Sequence, residues 1–104
     1  MKSLDLRDKD LATLRETFAR FPFVREVRVF GSRATGEARR ASDIDLAVSA
    51  PDATSGQWLD FTEALEATPI ILEFDVVRTE RANNSRLMEK IEREGVVIYP
   101  VGAQ

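Results

Sequence analysis

Two residue types are missing from this 104-residue chain, which contains neither cysteine nor histidine. Without cysteine the fold has no disulfide and no thiolate metal site, and a cytoplasmic location is the expected one. Without histidine, Ser-His-Asp catalysis, Cys-His catalysis and imidazole metal ligation are excluded. Any metal would need oxygen ligands, which favours Mg²⁺ or Mn²⁺ over Zn²⁺.

Long hydrophobic runs are also missing. No apolar stretch approaches the ~20 residues that span a bilayer, and the N-terminal residues are too charged for a signal peptide. With 43% hydrophobic and 32% charged residues, the chain is expected to form one globular domain over residues 1–104. Its net charge of −3 argues against direct, sequence-independent binding of nucleic acid. We therefore expect a cytoplasmic protein that binds no membrane.

Helical and strand periodicities alternate along the chain. The apolar spacing predicts helices over about 8–20, around 58–65 and around 87–91, with a short fourth helix over 32–39. Ser55 is the predicted N-cap of the third helix in chain order, and Gly95 the predicted C-terminal cap of the last. Apolar runs predict strands over 24–30, 43–48, 70–77 and 96–99, the last at a sheet edge. The order α-β-α-β-α-β-α-β indicates a sheet with helices packed on it, an α/β fold.

Two aspartates, Asp43 and Asp45, stand at the start of the second predicted strand. Because side chains alternate between the faces of a strand, both point to the same face, with Cα atoms roughly 7 Å apart. Their oxygens can converge on one cation, which would keep both carboxylates ionised. The alternative is that such a pair only caps the strand end or faces solvent.

A further acid, Asp75, lies within the otherwise apolar run Ile70–Val77. A carboxylate in such surroundings needs a cation or hydrogen-bond donors. If this strand lies beside the Asp43 strand, Asp75 completes a cluster of three carboxylates. Glu73 shares its face and is the alternative third ligand, or both acids face solvent.

The first strand runs into a turn at Gly31-Ser32. Glycine allows close approach of a ligand to the backbone, and N–H groups at a helix start attract phosphate. Arg33, Arg39 and Arg40 follow, and guanidinium groups match phosphate oxygens. The turn is neither a Walker A loop nor a Gly-x-Gly-x-x-Gly fingerprint. An ordinary turn with a solvated charge run is the alternative.

Together these residues resemble a known signature. Phe30-Gly31-Ser32-Arg33-Ala34, followed by Ser42-Asp43-Ile44-Asp45-Leu46, is similar to the minimal nucleotidyltransferase (MNT) domains of the DNA polymerase β-like superfamily. The resemblance implies a mixed sheet of about four strands flanked by helices. It also implies two Mg²⁺ or Mn²⁺ ions held by Asp43, Asp45 and Asp75. Triphosphate would bind at Gly31 and Ser32, with Arg33 as a further contact and Arg39 and Arg40 as candidates.

The resemblance also implies a function. Many MNT proteins pair with HEPN-domain toxins, so we expect an antitoxin that transfers AMP from ATP to a hydroxyl, such as a tyrosine, of a HEPN partner. A second hypothesis is an antitoxin that neutralises its partner by binding alone. A third, a small-molecule nucleotidyltransferase, is disfavoured because no acceptor-binding domain is visible in this short chain.

Overall fold

The computed structural model describes residues 4–102. Residues 1–3 and 103–104, which the predicted domain 1–104 includes, lie outside the described residues. Helices and strands alternate as predicted: α1 Asp8–Ala19, β1 Glu26–Phe30, α2 Ser32–Thr35, β2 Ile44–Ser49, α3 Ser55–Glu66, β3 Phe74–Arg78, α4 Ser85–Glu94 and β4 Val96–Tyr99, with a short 3-10 turn Thr79–Arg81 after β3. Among residues 4–102, no helix has the length and apolar character needed to cross a membrane.

The four strands form one mixed sheet in the order β3-β2-β1-β4. β1 pairs antiparallel with both β2 and β4, whereas β2 and β3 run parallel. This confirms the expected mixed sheet flanked by helices, with β4 at one edge. Because β2 is a central strand, its side chains have neighbours from both β1 and β3.

One face of the sheet carries the main core. Alternate side chains of the strands point toward α1 and α3 and are removed from water, which is the main stabilising term in folding. The largest fully buried members of this core are Leu14, Phe18, Val27, Val29, Ile44, Leu46, Val48, Phe61, Leu65 and Ile98.

The opposite face is covered by α4. Ile91 packs there against Phe30 and Ala47 in a smaller cluster that also includes Val77, Leu87 and Met88. Asp45 has the same parity along β2 as Ala47, so it lies on this second face. The packing of α4 therefore fixes which charged residues stand beside the carboxylates.

Two predicted boundaries were wrong. The strand predicted over 70–77 begins only at Phe74, because its partner strand β2 begins at Ile44 and the register pairs those two residues. The N-cap of α3 is Thr54 and not Ser55. The Thr54 hydroxyl accepts a hydrogen bond from the Gln57 N–H, and the Gln57 side chain accepts one from the Thr54 N–H. This reciprocal pair satisfies two donors that a helix start leaves unpaired.

One other predicted feature of the helices is revised: the helix after the Gly-Ser turn spans Ser32–Thr35 and does not reach residue 39. Gly95 is the C-cap of the last helix, as predicted, although its φ of −62° is not left-handed. A Cβ atom at this position would overlap the Ile91 carbonyl oxygen. The Gly95 N–H donates to the Ile91 carbonyl at 2.8 Å.

Candidate active site

The three predicted acidic residues lie at one end of the β2–β3 pair. Asp45 and Asp75 are direct partners across the parallel strands, and Asp43 precedes β2 by one residue. Asp45 is half-buried, whereas Asp43 and Asp75 are exposed. Strand pairing thus joins two segments that are 30 residues apart in the sequence.

The charges around Asp45 oppose its ionisation. Burial raises the pKa of Asp45, and the neighbouring Asp75 carboxylate raises it further. The positive charge of Lys90 lowers this pKa, whereas the charges of Asp43 and Glu94 raise it. The site therefore holds more negative charge than the protein itself neutralises, a condition that a bound cation relieves. Asp75 is among the groups that raise the pKa of Asp45, and the choice between Asp75 and Glu73 as third ligand stays a prediction.

Gly31 lies against the Asp45 carboxylate. Phe30, the last residue of β1, is the register partner of Asp45, so the turn that follows β1 begins beside this side chain. A Cβ atom added at Gly31 would overlap Asp45 Oδ2. The backbone of Gly31 also has a φ of 71°, a conformation that residues other than glycine rarely adopt. The close approach observed at this glycine is to Asp45, and the predicted approach of a ligand to the Gly31 backbone stays a prediction.

A pocket of about 220 Å³ opens beside the turn. It is lined by Gly31, Ser32, Thr35, Glu37, Lys90 and Glu94. The Gly31 N–H donates a hydrogen bond of 3.2 Å to Glu94 Oε1. Lys90 and Glu94 were not predicted from the sequence. They are charged residues four apart on a helix, a pattern that ordinarily means a solvated face, and only the packing of α4 brings them to the turn.

Arg33 is turned away from this pocket. Its side chain is buried, with 8% of the residue exposed. Its guanidinium donates to the carbonyls of Ser42, Arg39 and Arg40 at 2.9 to 3.3 Å and to that of Asp5 at 3.4 Å. The predicted contact of Arg33 with phosphate stays a prediction, and it would require these bonds to break. The observed role is to hold the loop that leads into Asp43.

The donor set suits a hard divalent cation. Asp43, Asp45 and Asp75 offer only oxygen, which is what Mg²⁺ and Mn²⁺ prefer. The pKa of half-buried Asp45 is raised, first by burial and then by the charge of Asp75, and the positive charge of Lys90 offsets this only in part. Within residues 4–102, however, no three acidic side chains are close enough to form a complete metal site. A cation would have to draw the carboxylates together.

The family described as "Polymerase beta, Nucleotidyltransferase" has a sequence model that matches residues 12–101. The matched segment includes the Gly-Ser turn and all three aspartates. The chain belongs to this family. The resemblance seen in the motif is thereby confirmed for most of the chain. A comparison with curated protein sequences gives no match.

Solved structures with the same fold come from toxin–antitoxin pairs. One, a toxin–antitoxin with AMP-PNP, has 24% sequence identity and a TM-score of 0.72 and aligns over 91% of this nucleotidyltransferase and 75% of that chain. Another, a mutant of MntA-HpeT, has 25% identity and a TM-score of 0.67 over 95% and 76%. A third, a tri-AMPylated Shewanella oneidensis HEPN toxin in complex with MNT antitoxin, has 22% identity and a TM-score of 0.50 over 88% and 67%.

Proposed function

We propose that this nucleotidyltransferase transfers AMP from ATP to a hydroxyl group of a HEPN-type toxin and so acts as its antitoxin. The observation that carries the proposal is the direct pairing of Asp45 with Asp75 beside the Gly31-Ser32 turn. Gly31 contacts the Asp45 carboxylate and also lines the pocket of about 220 Å³, so carboxylates and a pocket adjoin the same turn, as nucleotidyl transfer requires. Family membership supports the reaction class.

The chemistry assigns a separate task to each part of the site. The acceptor oxygen attacks the α-phosphorus, the bond to the β-phosphate breaks, and pyrophosphate leaves. Asp43, Asp45 and Asp75 would hold two divalent cations, which supply charge stabilisation for the phosphates when bound. Gly31 and Ser32 would bind phosphate oxygens through the backbone N–H groups and the hydroxyl. With no histidine in the chain, we assign the acceptor proton to the exposed carboxylate of Asp75.

The nucleotide and the partner are proposed from the structural neighbours. One contains AMP-PNP and another an AMPylated HEPN toxin, so ATP and AMP transfer are the natural choices for this chain. The fold has no second domain within residues 4–102 to hold a small acceptor. An acceptor that is itself a folded protein fits this arrangement.

The test uses the protein together with a HEPN-type toxin, the partner class of the proposal. Purified wild type is incubated with ATP labelled in the α-phosphate, Mg²⁺ and the toxin. We expect label on a toxin tyrosine, and no label with the variant D43N/D45N. Asp60→Asn, an exposed aspartate on α3, is the matched control and should label normally. Absence of label from every toxin hydroxyl with the wild type would refute the proposal.

Neutralisation by binding alone is the second candidate. One observation is compatible with it: Ile71, three residues before β3, is 88% exposed and offers an apolar contact to a partner. On this hypothesis D43N/D45N still protects cells from the toxin, and I71D does not. On the catalytic hypothesis the double variant loses protection although it still binds the toxin.

A further inference from the structure

The pocket beside the Gly-Ser turn contains one positive side chain. Lys90 lines the pocket together with the turn and makes no ion pair within 4.0 Å in the part of the chain that the structure describes. Two acids, Glu37 and Glu94, also line the pocket. An unpaired ammonium group is thus available to an anion that enters the pocket.

The position of Lys90 is set by the fold. It precedes Ile91, the residue that anchors α4 in the second-face cluster with Phe30 and Ala47. Phe30 immediately precedes Gly31, so the same contact that seats α4 also brings its Lys90–Glu94 face to the turn. The Lys90 charge acts on Asp45 as well, which places the ammonium group within electrostatic reach of the carboxylates.

Glu94 accepts a hydrogen bond from a backbone N–H of the turn. Its side chain is 19% exposed and accepts the Gly31 N–H at 3.2 Å, while Arg93 Nη2 lies 3.7 Å from its other oxygen. A carboxylate that accepts a backbone N–H makes the same kind of charge-assisted hydrogen bond as a phosphate oxygen. Glu94 therefore stands where a phosphate oxygen would meet the Gly31 N–H.

We propose that Lys90 binds the β- and γ-phosphates of a nucleoside triphosphate in this pocket, and that the incoming phosphate displaces Glu94 from the Gly31 N–H. The inference rests on the proposed function, because it takes the α-phosphate to lie at the aspartates. From there the chain of phosphates runs past Gly31 and Ser32 toward Lys90. Lysine suits this task as a compact charge with three donors.

The test measures binding of AMP-PNP and of AMP, each with Mg²⁺, to the full chain by titration calorimetry. Lys90→Met removes the charge and keeps the length of the side chain. We expect AMP-PNP to bind about 10-fold more weakly or worse, as for loss of a charge-assisted bond, and AMP binding to be unchanged. Lys90→Arg should restore most of the loss. Lys9→Met, which removes an exposed lysine of α1, is the matched control and should bind like wild type.

Glu94→Gln should move binding in the opposite direction. It removes the charge that competes with phosphate, so AMP-PNP should bind severalfold more tightly. Unchanged AMP-PNP binding by Lys90→Met, or weaker binding by Glu94→Gln, would overturn the inference. Either result leaves the proposed function intact as long as wild type labels the toxin. Failure of wild type to label the toxin refutes the proposed function, and binding of AMP-PNP then tests the role of Lys90 separately.

Discussion

At the scale of single residues, Asp45 is subject to two opposing requirements. The proposed chemistry needs its charge, whereas burial and the carboxylate of Asp75 raise its pKa and disfavour that charge. In the absence of a cation, the ionised form therefore costs free energy in the folded state. Residues of this kind are typical of sites that sacrifice stability for function.

Replacement of Asp45 with asparagine should abolish transfer and stabilise the fold. Because the folded-state pKa of Asp45 is raised, its ionisation destabilises the protein as the pH rises through that pKa. We expect D45N to exceed wild type in free energy of unfolding by about 0.2–1 kcal/mol at pH 7, the range for cross-strand charge pairs. The difference should vanish below the ordinary pKa of 3.8, where both states are protonated. Urea unfolding without divalent cations at several pH values checks this, and a D45N protein less stable than wild type at pH 7 would contradict it.

We expect Arg33 to stabilise the loop that leads into Asp43 and not to bind the nucleotide. Lysine in its place keeps the charge but cannot reach the carbonyls of Arg39, Arg40 and Ser42 together. Since buried groups that lose their partners cost about 1–3 kcal/mol each, we expect R33K to lower the free energy of unfolding by about 2–3 kcal/mol. Arg39→Lys, at an exposed position, is the control and should be neutral. Equal stability of R33K and wild type would show that these bonds contribute little.

The residues predicted from the sequence and those missed differ in a physical way. Asp43 and Asp45 share a face because strand parity is a local property, and the sequence shows it directly. The pairing of Asp75 with Asp45 was only conditional, because strand order cannot be read from one sequence. Lys90 and Glu94 reach the turn through the packing of α4, and the buried state of Arg33 depends on a loop that closes around it. Neither arrangement can be recognised from a local pattern in the sequence.

At the scale of elements, the caps decide where helices begin. The sequence offers two neighbouring hydroxyls, Thr54 and Ser55, and both residue types are good N-caps. The choice falls on Thr54 because Gln57, three residues later, completes the reciprocal pair with it. The same spacing was visible in the sequence and could have corrected the prediction.

Thr54→Ala should therefore destabilise the protein by about 0.5–2 kcal/mol, the usual cost of losing a helix N-cap. Ser55→Ala removes the neighbouring hydroxyl, which accepts no capping bond, and should change the stability little. Chemical denaturation of both variants measures the difference. A larger effect at Ser55 than at Thr54 would mean that the helix begins one residue later than observed.

Strand boundaries depend on the neighbouring strand more than on the segment itself. Residues 70–73 are as apolar as the rest of the predicted strand, yet β3 starts at Phe74 because β2 offers no partner before Ile44. Just before β3, the Glu73 carbonyl accepts a hydrogen bond of 2.9 Å from the Ile44 N–H. Strand pairing depends on two segments, so the length of a single apolar run overestimates the length of the strand.

At the scale of the whole molecule, a cation bound at the aspartates should stabilise the fold. Binding to the native state alone raises the free energy of unfolding, by about 2.7 kcal/mol at 100 times the dissociation constant. We expect Mg²⁺ or Mn²⁺ to raise the melting temperature of wild type and to leave that of D43N/D45N unchanged. Sodium chloride at equal ionic strength controls for screening. The same increase in both proteins would place the cation elsewhere.

The contact between Gly31 and the Asp45 carboxylate links two positions that the sequence separates by a loop. A side chain at position 31 would push the Asp45 carboxylate out of its observed position and would strain a backbone whose φ is 71°. The two positions are therefore expected to change together among related chains. Where a relative has another residue in place of the glycine, its aspartate should be displaced or replaced, and we expect that relative to transfer nucleotides poorly.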